Sequence, residues 1–350
     1  RDLVRSRGLG DVYKRQLINY VIDNAKVDKA AYNAAVDLLI KSQKDNKADQ
    51  KGNFRALQNY GMYGPYNSTR NILSEQQLKS MDPQKLLNVL KNLKNYKQTV
   101  LYYGPSSIKD IDNLLAKTFK TAKKFAPLPK EKRYTLQTTP QNEVIIAPYN
   151  AKNIYMVQFH NENKEWNPND AAKISLFNEY FGGGMNAIVF QEMREARALA
   201  YTASASYHMP NRLGDKDYFN TFIITQNDKM MDCIAQFNEL LNNMPVRLAN
   251  FDLAKQNLLK SLASTRTTKF SILSAYMNAQ KMGLNCTLSE KIYNDLPSVT
   301  FDDIINFEKT NIGHKTFKYL ILGDEKELDM KALEKIAPIK RVTTEEIFGY

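Results

Sequence analysis

Two side chains seven residues apart, Arg194 and Tyr201, stand out in the stretch "FGGGMNAIVFQEMREARALAY", Phe181–Tyr201. A guanidinium is permanently charged and carries its N–H donors in a rigid fork suited to carbonyl or carboxylate oxygens. A phenol O–H can donate to an oxygen that gains negative charge during a reaction. Ahead of them, Gly182, Gly183 and Gly184 lie between two helical patterns and read as a tight interhelical turn. Glycine there lets another backbone come close, and the helix start that follows leaves N–H groups free for a carbonyl or an anion. No G-x-G-x-x-G follows a strand and no G-K-[ST] closes the turn, so this is not a nucleotide loop. On residue types alone a plainer alternative stays open. The glycines form a compact turn, Arg194 pairs with Glu192 or Glu195 at the surface, and Tyr201 fills core.

Other chemistry is sparse. The three histidines, His160, His208 and His314, include no two spaced as H-x-x-E-H in either orientation. His160 has Glu162 and Glu165 nearby, but "HNENKE" lacks a second histidine and follows a strand pattern, so it reads as a hydrated loop. Cys233 and Cys286 form no C-x-x-C pair; two free thiols are expected, with one bridge between them as the alternative. Spacing supports no Ser/His/Asp or Cys/His grouping.

Elements must position the Arg/Tyr pair. From Leu17 to about Tyr60 apolar residues recur at helical spacing. A helix opens near Asp82 with Pro83 at its first position, and "QTVLYYG" reads as a strand before the Ser-capped helix "SSIKDIDNLLAKTFKTAKKF". "APLPKEKRYTLQTTPQ" is the linker candidate. Beyond it "NEVIIAPY", "NIYMVQFHN", "AYTASASYHM", "DYFNTFIIT" and "FKYLILGD" read as strands. Helical patterns cover Lys229–Asn242, Phe251–Thr265 and Ile272–Leu284, and a Thr-capped helix starts at "TFDDIINFEKT". In the helix after the glycines, Met185, Ile188, Val189, Met193 and Ala196 form the expected packing side, and Tyr201 falls just beyond it at a strand entry. Strands, then helices, then a strand and a closing helix describe an α+β fold with helices on one face of a mostly antiparallel sheet.

The first 140 residues carry 26 Lys and Arg against 12 Asp and Glu, the remainder 23 against 25. The lysines are dispersed along amphipathic stretches such as "KLLNVLKNLKNYK", which is a solvated face, so no nucleic-acid partner is expected. No apolar run approaches the roughly 20 residues of a membrane-spanning helix. Residues 1–16, "RDLVRSRGLGDVYKRQ", read as a cloning or sequencing artefact, "DVYKRQ" looking like a translated adapter; native sequence is expected from Leu17, and no compartment is assigned.

The run "FNEYFGGGMNAIVFQEMREARALAYTASASY", with "TQNDKMMDCIAQFNELLNNMP", "YNDLPSVTFDDI" and "YLILGD", resembles the insulinase/pitrilysin family of zinc metallopeptidases. The resemblance covers roughly Asn142–Pro338 and, more weakly, Leu17–Phe125. It implies two insulinase-like domains. The first, incomplete, spans 17–126, a linker follows at 127–140, a complete domain spans 141–340, and 341–350 form a loose tail. Family enzymes are clamshells in which one half holds Zn²⁺ through H-x-x-E-H and a downstream Glu. The other half contributes an Arg and a Tyr, here matched by Arg194 and Tyr201, with Gly182, Gly183 and Gly184 as the family's Gly-rich turn. The resemblance therefore implies the substrate-binding half of a zinc metalloendopeptidase, inactive alone. It takes peptide substrate, carries no cofactor of its own, and depends on zinc in an N-terminal half. The alternative is a non-catalytic peptide-binding or structural subunit that pairs with a separate zinc-bearing chain.

Overall fold

The computed structural model describes residues 17, 19–118 and 122–350; the segment 1–16 lies outside them. The chain divides into two compact units. The first holds Leu73–Arg133 with the described residues up to Asp45, and the second holds Asn46–Ile72 and Tyr134–Tyr350. Helix α1 (Lys29–Ala48) is followed by α2 (Gln50–Tyr63), α3 (Glu75–Ser80), α4 (Pro83–Asn92) and α5 (Ile108–Thr118).

In the first unit Val36, Ile40 and Leu78 make a small apolar cluster. A full capping box closes the start of α3 between Ser74 and Gln77, and Asp82 caps α4 ahead of Pro83 as the sequence predicts. The strand expected at "QTVLYYG" does not form. A strand exists only beside a partner, the described residues of this unit include no other strand, and Val100–Tyr103 lie exposed.

The second unit is built on one six-stranded sheet: β1 (Glu143–Pro148), β2 (Asn153–His160), β3 (Thr202–His208), β4 (Tyr218–Gln226), β5 (Lys318–Gly323) and β6 (Ile339–Arg341). Their spatial order is β3-β4-β2-β5-β1-β6. The sheet is mixed, with three of its five pairings antiparallel. β2 pairs antiparallel with β4 and β5, and β3 with β4, but β1 runs parallel to both β5 and β6. Long returns through the helices bring β5 and β6 to β1, and parallel neighbours require such crossovers.

Helices cover both faces, not one. Val144, Ile146, Ile154, Met156, Tyr319 and Ile321 face the larger core. It is completed by α6 (Ala171–Phe177), α7 (Ile188–Phe190), α8 (Met230–Asn242), α9 (Leu248–Ser264), Met282 just past α10 (Lys269–Lys281), α11 (Leu288–Asp295), α12 (Phe301–Asn311) and α13 (Met330–Glu334). The alternate residues Ile145, Ala147, Val157, Phe159, Leu320 and Leu322 pack against Phe54, Ala56 and Leu57 of α2. On that face they also meet Ile347 and Phe348 of α14 (Thr344–Phe348). The period of two along a strand makes this split inevitable once both faces are apolar. The expected tail therefore ends in a capped helix, with Thr343 and Glu346 forming its capping box and its two apolar side chains buried.

Candidate functional site

The route to Arg194 starts at Asn178–Gly182, a π-helical stretch continuing α6. Its residues Tyr180, Phe181 and Gly182 are buried against the sheet. β3 is an edge strand, and an edge needs cover. The Asn178 side chain supplies part of it, donating to the Tyr207 carbonyl at 2.9 Å and accepting from the Tyr207 N–H at 2.8 Å. Gly182 covers the next outward-facing group: a Cβ there would sit 1.9 Å from the Ala205 carbonyl oxygen. Only glycine fits. A Cβ on Gly183 would lie 2.9 Å from the Asn178 carbonyl oxygen, and Gly184 faces open space. The close approach that Gly182 permits is thus to the protein's own β3.

α7 is a single turn that runs into a second π-helical stretch, Gln191–Ala196. Such stretches recur at functional sites because the wider turn re-aims the side chains after it. Ile188, Val189 and Met193 are buried as expected, whereas Met185 and Ala196 are exposed. Met185 precedes the helix, and the π turn carries Ala196 off the apolar side. Glu192 pairs with Arg247 rather than with Arg194. Arg194 lies over the Phe190 ring at 5.0 Å, and its one ion-pair partner among the described residues is Glu195 at 3.8 Å, on the surface.

Ala198 then takes the left-handed conformation, φ 48°, unusual for a residue with a Cβ. Its N–H closes on the Arg194 carbonyl at 3.1 Å and that of Leu199 on Met193 at 2.9 Å, ending the helix. The Tyr201 N–H joins the Ile224 carbonyl at 2.9 Å, which enters the chain into β3. Thr225 Oγ1 and Cys233 Sγ both donate to the Leu199 carbonyl, fixing the connection from below. As a result Arg194 and Tyr201 both line one open cavity of about 430 Å³. Tyr201 is 76 % exposed and fills no core. Sequence reasoning missed Lys229, Asn153 and Gln226 on the same wall. For Lys229 a signal existed: a cation at the N-terminal end of α8, where the helix dipole disfavours it. None of the three glycines lines the cavity.

Two of the histidines, His160 and His208, are engaged elsewhere. His160 is buried, with Nδ1 2.7 Å from the Thr316 carbonyl, which makes that nitrogen the donor; desolvation holds the ring below its ordinary pKa. His208 stacks on Tyr218 with ring centroids 4.4 Å apart, and its Nε2 meets Asn220. Burial lowers its pKa also. Among the described residues no group of three His, Cys, Asp or Glu side chains could hold a metal ion, so the residues present do not fit a zinc site. Both cysteines are free. No helix among the described residues is long and apolar enough to cross a membrane.

The fold has solved counterparts. A peptidase M16 inactive domain from Pseudomonas fluorescens is similar at TM-score 0.61 and 15% identity, over 87% of this chain and 72% of that one. The periplasmic protease PqqL from Escherichia coli is similar at TM-score 0.66 and 14% identity, over 90% of this chain. A mutant of the ferredoxin protease FusC, bound to Arabidopsis ferredoxin, reaches TM-score 0.67 at 10% identity over 89% of this chain. The chain spans 35% of the length of each of these two proteases. No curated protein matches it. The chain belongs to the insulinase/pitrilysin family, peptidase M16: the sequence model described as the peptidase M16 inactive domain matches residues 81–258, just over half of it.

Proposed function

We propose that this chain is the substrate-binding half of a zinc metalloendopeptidase. Arg194 grips main-chain carbonyls of an extended peptide, and Tyr201 donates its O–H to the carbonyl oxygen under attack. One observation carries the reading: two side chains of the right chemistry, both exposed, line a single cavity at the strand entry. A guanidinium fork holds carbonyls without reading side chains. A phenol already positioned beside the developing oxyanion stabilises it without reorganising at the moment of reaction. The zinc and its activated water belong to residues outside this chain. The 35% coverage of PqqL supports an upstream half of the same polypeptide. The 72% coverage of the Pseudomonas chain supports the second reading, a non-catalytic subunit that pairs with a separate zinc-bearing chain.

Two measurements test the proposal. Arg194→Ala should weaken binding of a fluorescein-labelled extended peptide, read by anisotropy, by roughly tenfold, as expected for a lost charge-assisted contact. In the enzyme assembled with its zinc-bearing half, Tyr201→Phe should lower kcat by about 10²–10³ with little change in KM. Unchanged turnover rejects the oxyanion role. Coexpression with an upstream or a separate zinc-bearing chain, followed by peptide cleavage, tells the two readings apart.

A further inference from the structure

We infer that the cavity beside Arg194 and Tyr201 is a carboxylate-binding subsite, with Lys229 as its second cation. This rests on the reading of the cavity as a peptide site and goes beyond it by naming what the peptide must carry. The charged side chains of the lining are Arg194 and Lys229, and no acidic residue is among them. Arg194 is only loosely countered by Glu195, a surface pair that contributes little. Stacking of its guanidinium on Phe190 leaves the N–H edge of the fork for a ligand.

Lys229 is held where an anion would need it. Its Nζ donates to the Ala198 carbonyl at 3.1 Å, which uses one of three N–H donors and leaves two. Among the described residues it pairs with no carboxylate. The Ala198 carbonyl is part of the left-handed turn that separates Arg194 from Tyr201, so the strained residue also steers the lysine. A cation at the start of α8 opposes the helix dipole, a placement that works against the fold and favours a bound anion. Asn153 and Gln226 add neutral polar groups to the wall, and the volume suits a carboxylate with part of the chain bearing it. The carboxylate comes either from a free peptide C-terminus or from an Asp or Glu side chain.

The test uses the chain itself and three labelled peptides that differ only at the C-terminus or at one internal position, read by anisotropy at low salt. The first has a free C-terminal carboxylate, the second is amidated and neutral, and the third is amidated with one internal Glu. The carboxylate-bearing peptides should bind roughly tenfold more tightly than the neutral one. Lys229→Met should bring them to the neutral peptide's level, and Lys229→Arg should restore the preference. Preference for the first peptide alone assigns the subsite to C-termini, and equal preference for the third assigns it to acidic side chains as well. Neutral binding with no preference for either carboxylate overturns this inference and leaves the peptide site standing. Absence of binding by all three peptides overturns the peptide site and this inference together.

Discussion

The side-chain amide of Asn178 bonds both backbone groups of Tyr207, standing in for the neighbouring strand that β3 lacks. With Gly182 pressed on the Ala205 carbonyl, it seals the sheet edge beside the candidate site. A peptide added as an extra strand would find this stretch of β3 already occupied. The cavity at Tyr201 is the accessible surface instead.

Asn178→Ala should therefore leave the Tyr207 N–H and carbonyl without partners and destabilise the fold by about 2 kcal/mol. A urea titration with unchanged slope and a lower midpoint is the expected result. A midpoint that stays put would mean that water replaces both bonds at no loss.

The three glycines should respond unequally. Gly182→Ala forces a methyl into the Ala205 carbonyl, where neither backbone can yield cheaply, and should lose about 3 kcal/mol or fail to fold. Gly184→Ala meets open space and should stay within about 0.5 kcal/mol of the parent. Equal melting temperatures for the two variants would contradict this account of the turn.

Arg194→Ala and Tyr201→Phe should leave thermal stability within about 0.5 kcal/mol of the parent, because both side chains stand at the surface. Any loss of peptide binding then reports a lost contact. A melting temperature that drops together with binding would return both residues to a structural role.

Glu308 sets a pH dependence. It is 3 % exposed on α12, its Oε1 has no partner among the described residues, and desolvation pushes its pKa up to about 7. The unfolded chain releases this proton near the ordinary glutamate value of 4.5, so between 4.5 and about 7 the folded state binds more protons. Stability from this group is fully present below 4.5 and is lost as pH rises towards 7. Glu308→Gln, neutral throughout, should match the parent at pH 4.5 and exceed it at pH 8 by about 3 kcal/mol at most. Urea midpoints of both chains at the two pH values check this. His160 and His208, whose pKa values are lowered, act in the opposite sense below 6.5 and cancel in the comparison.

Much of the second unit was legible in the sequence, and the misses have physical causes. Alternation identified β3 and β4, and the Thr300 capping box marked the start of α12 where a Thr cap was expected. The parallel neighbours of β1 and the second covered face were missed although Val144–Ala147 carries their mark: four consecutive apolar residues need cover on both faces. Which strands lie beside β1 depends on long returns that local patterning does not encode. "QTVLYYG" shows the reverse case, strand-forming residues with no neighbour to pair with. Arg194 and Tyr201 were found through family likeness, since their spacing alone fits an ordinary helix surface equally well. Ala198 was invisible because alanine gives no hint of a left-handed turn.

Helix α2 covers one side of the sheet with Phe54, Ala56 and Leu57, although β1 begins some ninety residues later. The proline-rich run at 126–140 is therefore a poor place to trim this protein. A shortened chain starting at Tyr134 would lay Val157, Phe159, Leu320 and Leu322 open to solvent and precipitate through that greasy plane. Anyone who wants this unit by itself must carry Asn46–Ile72 along with it.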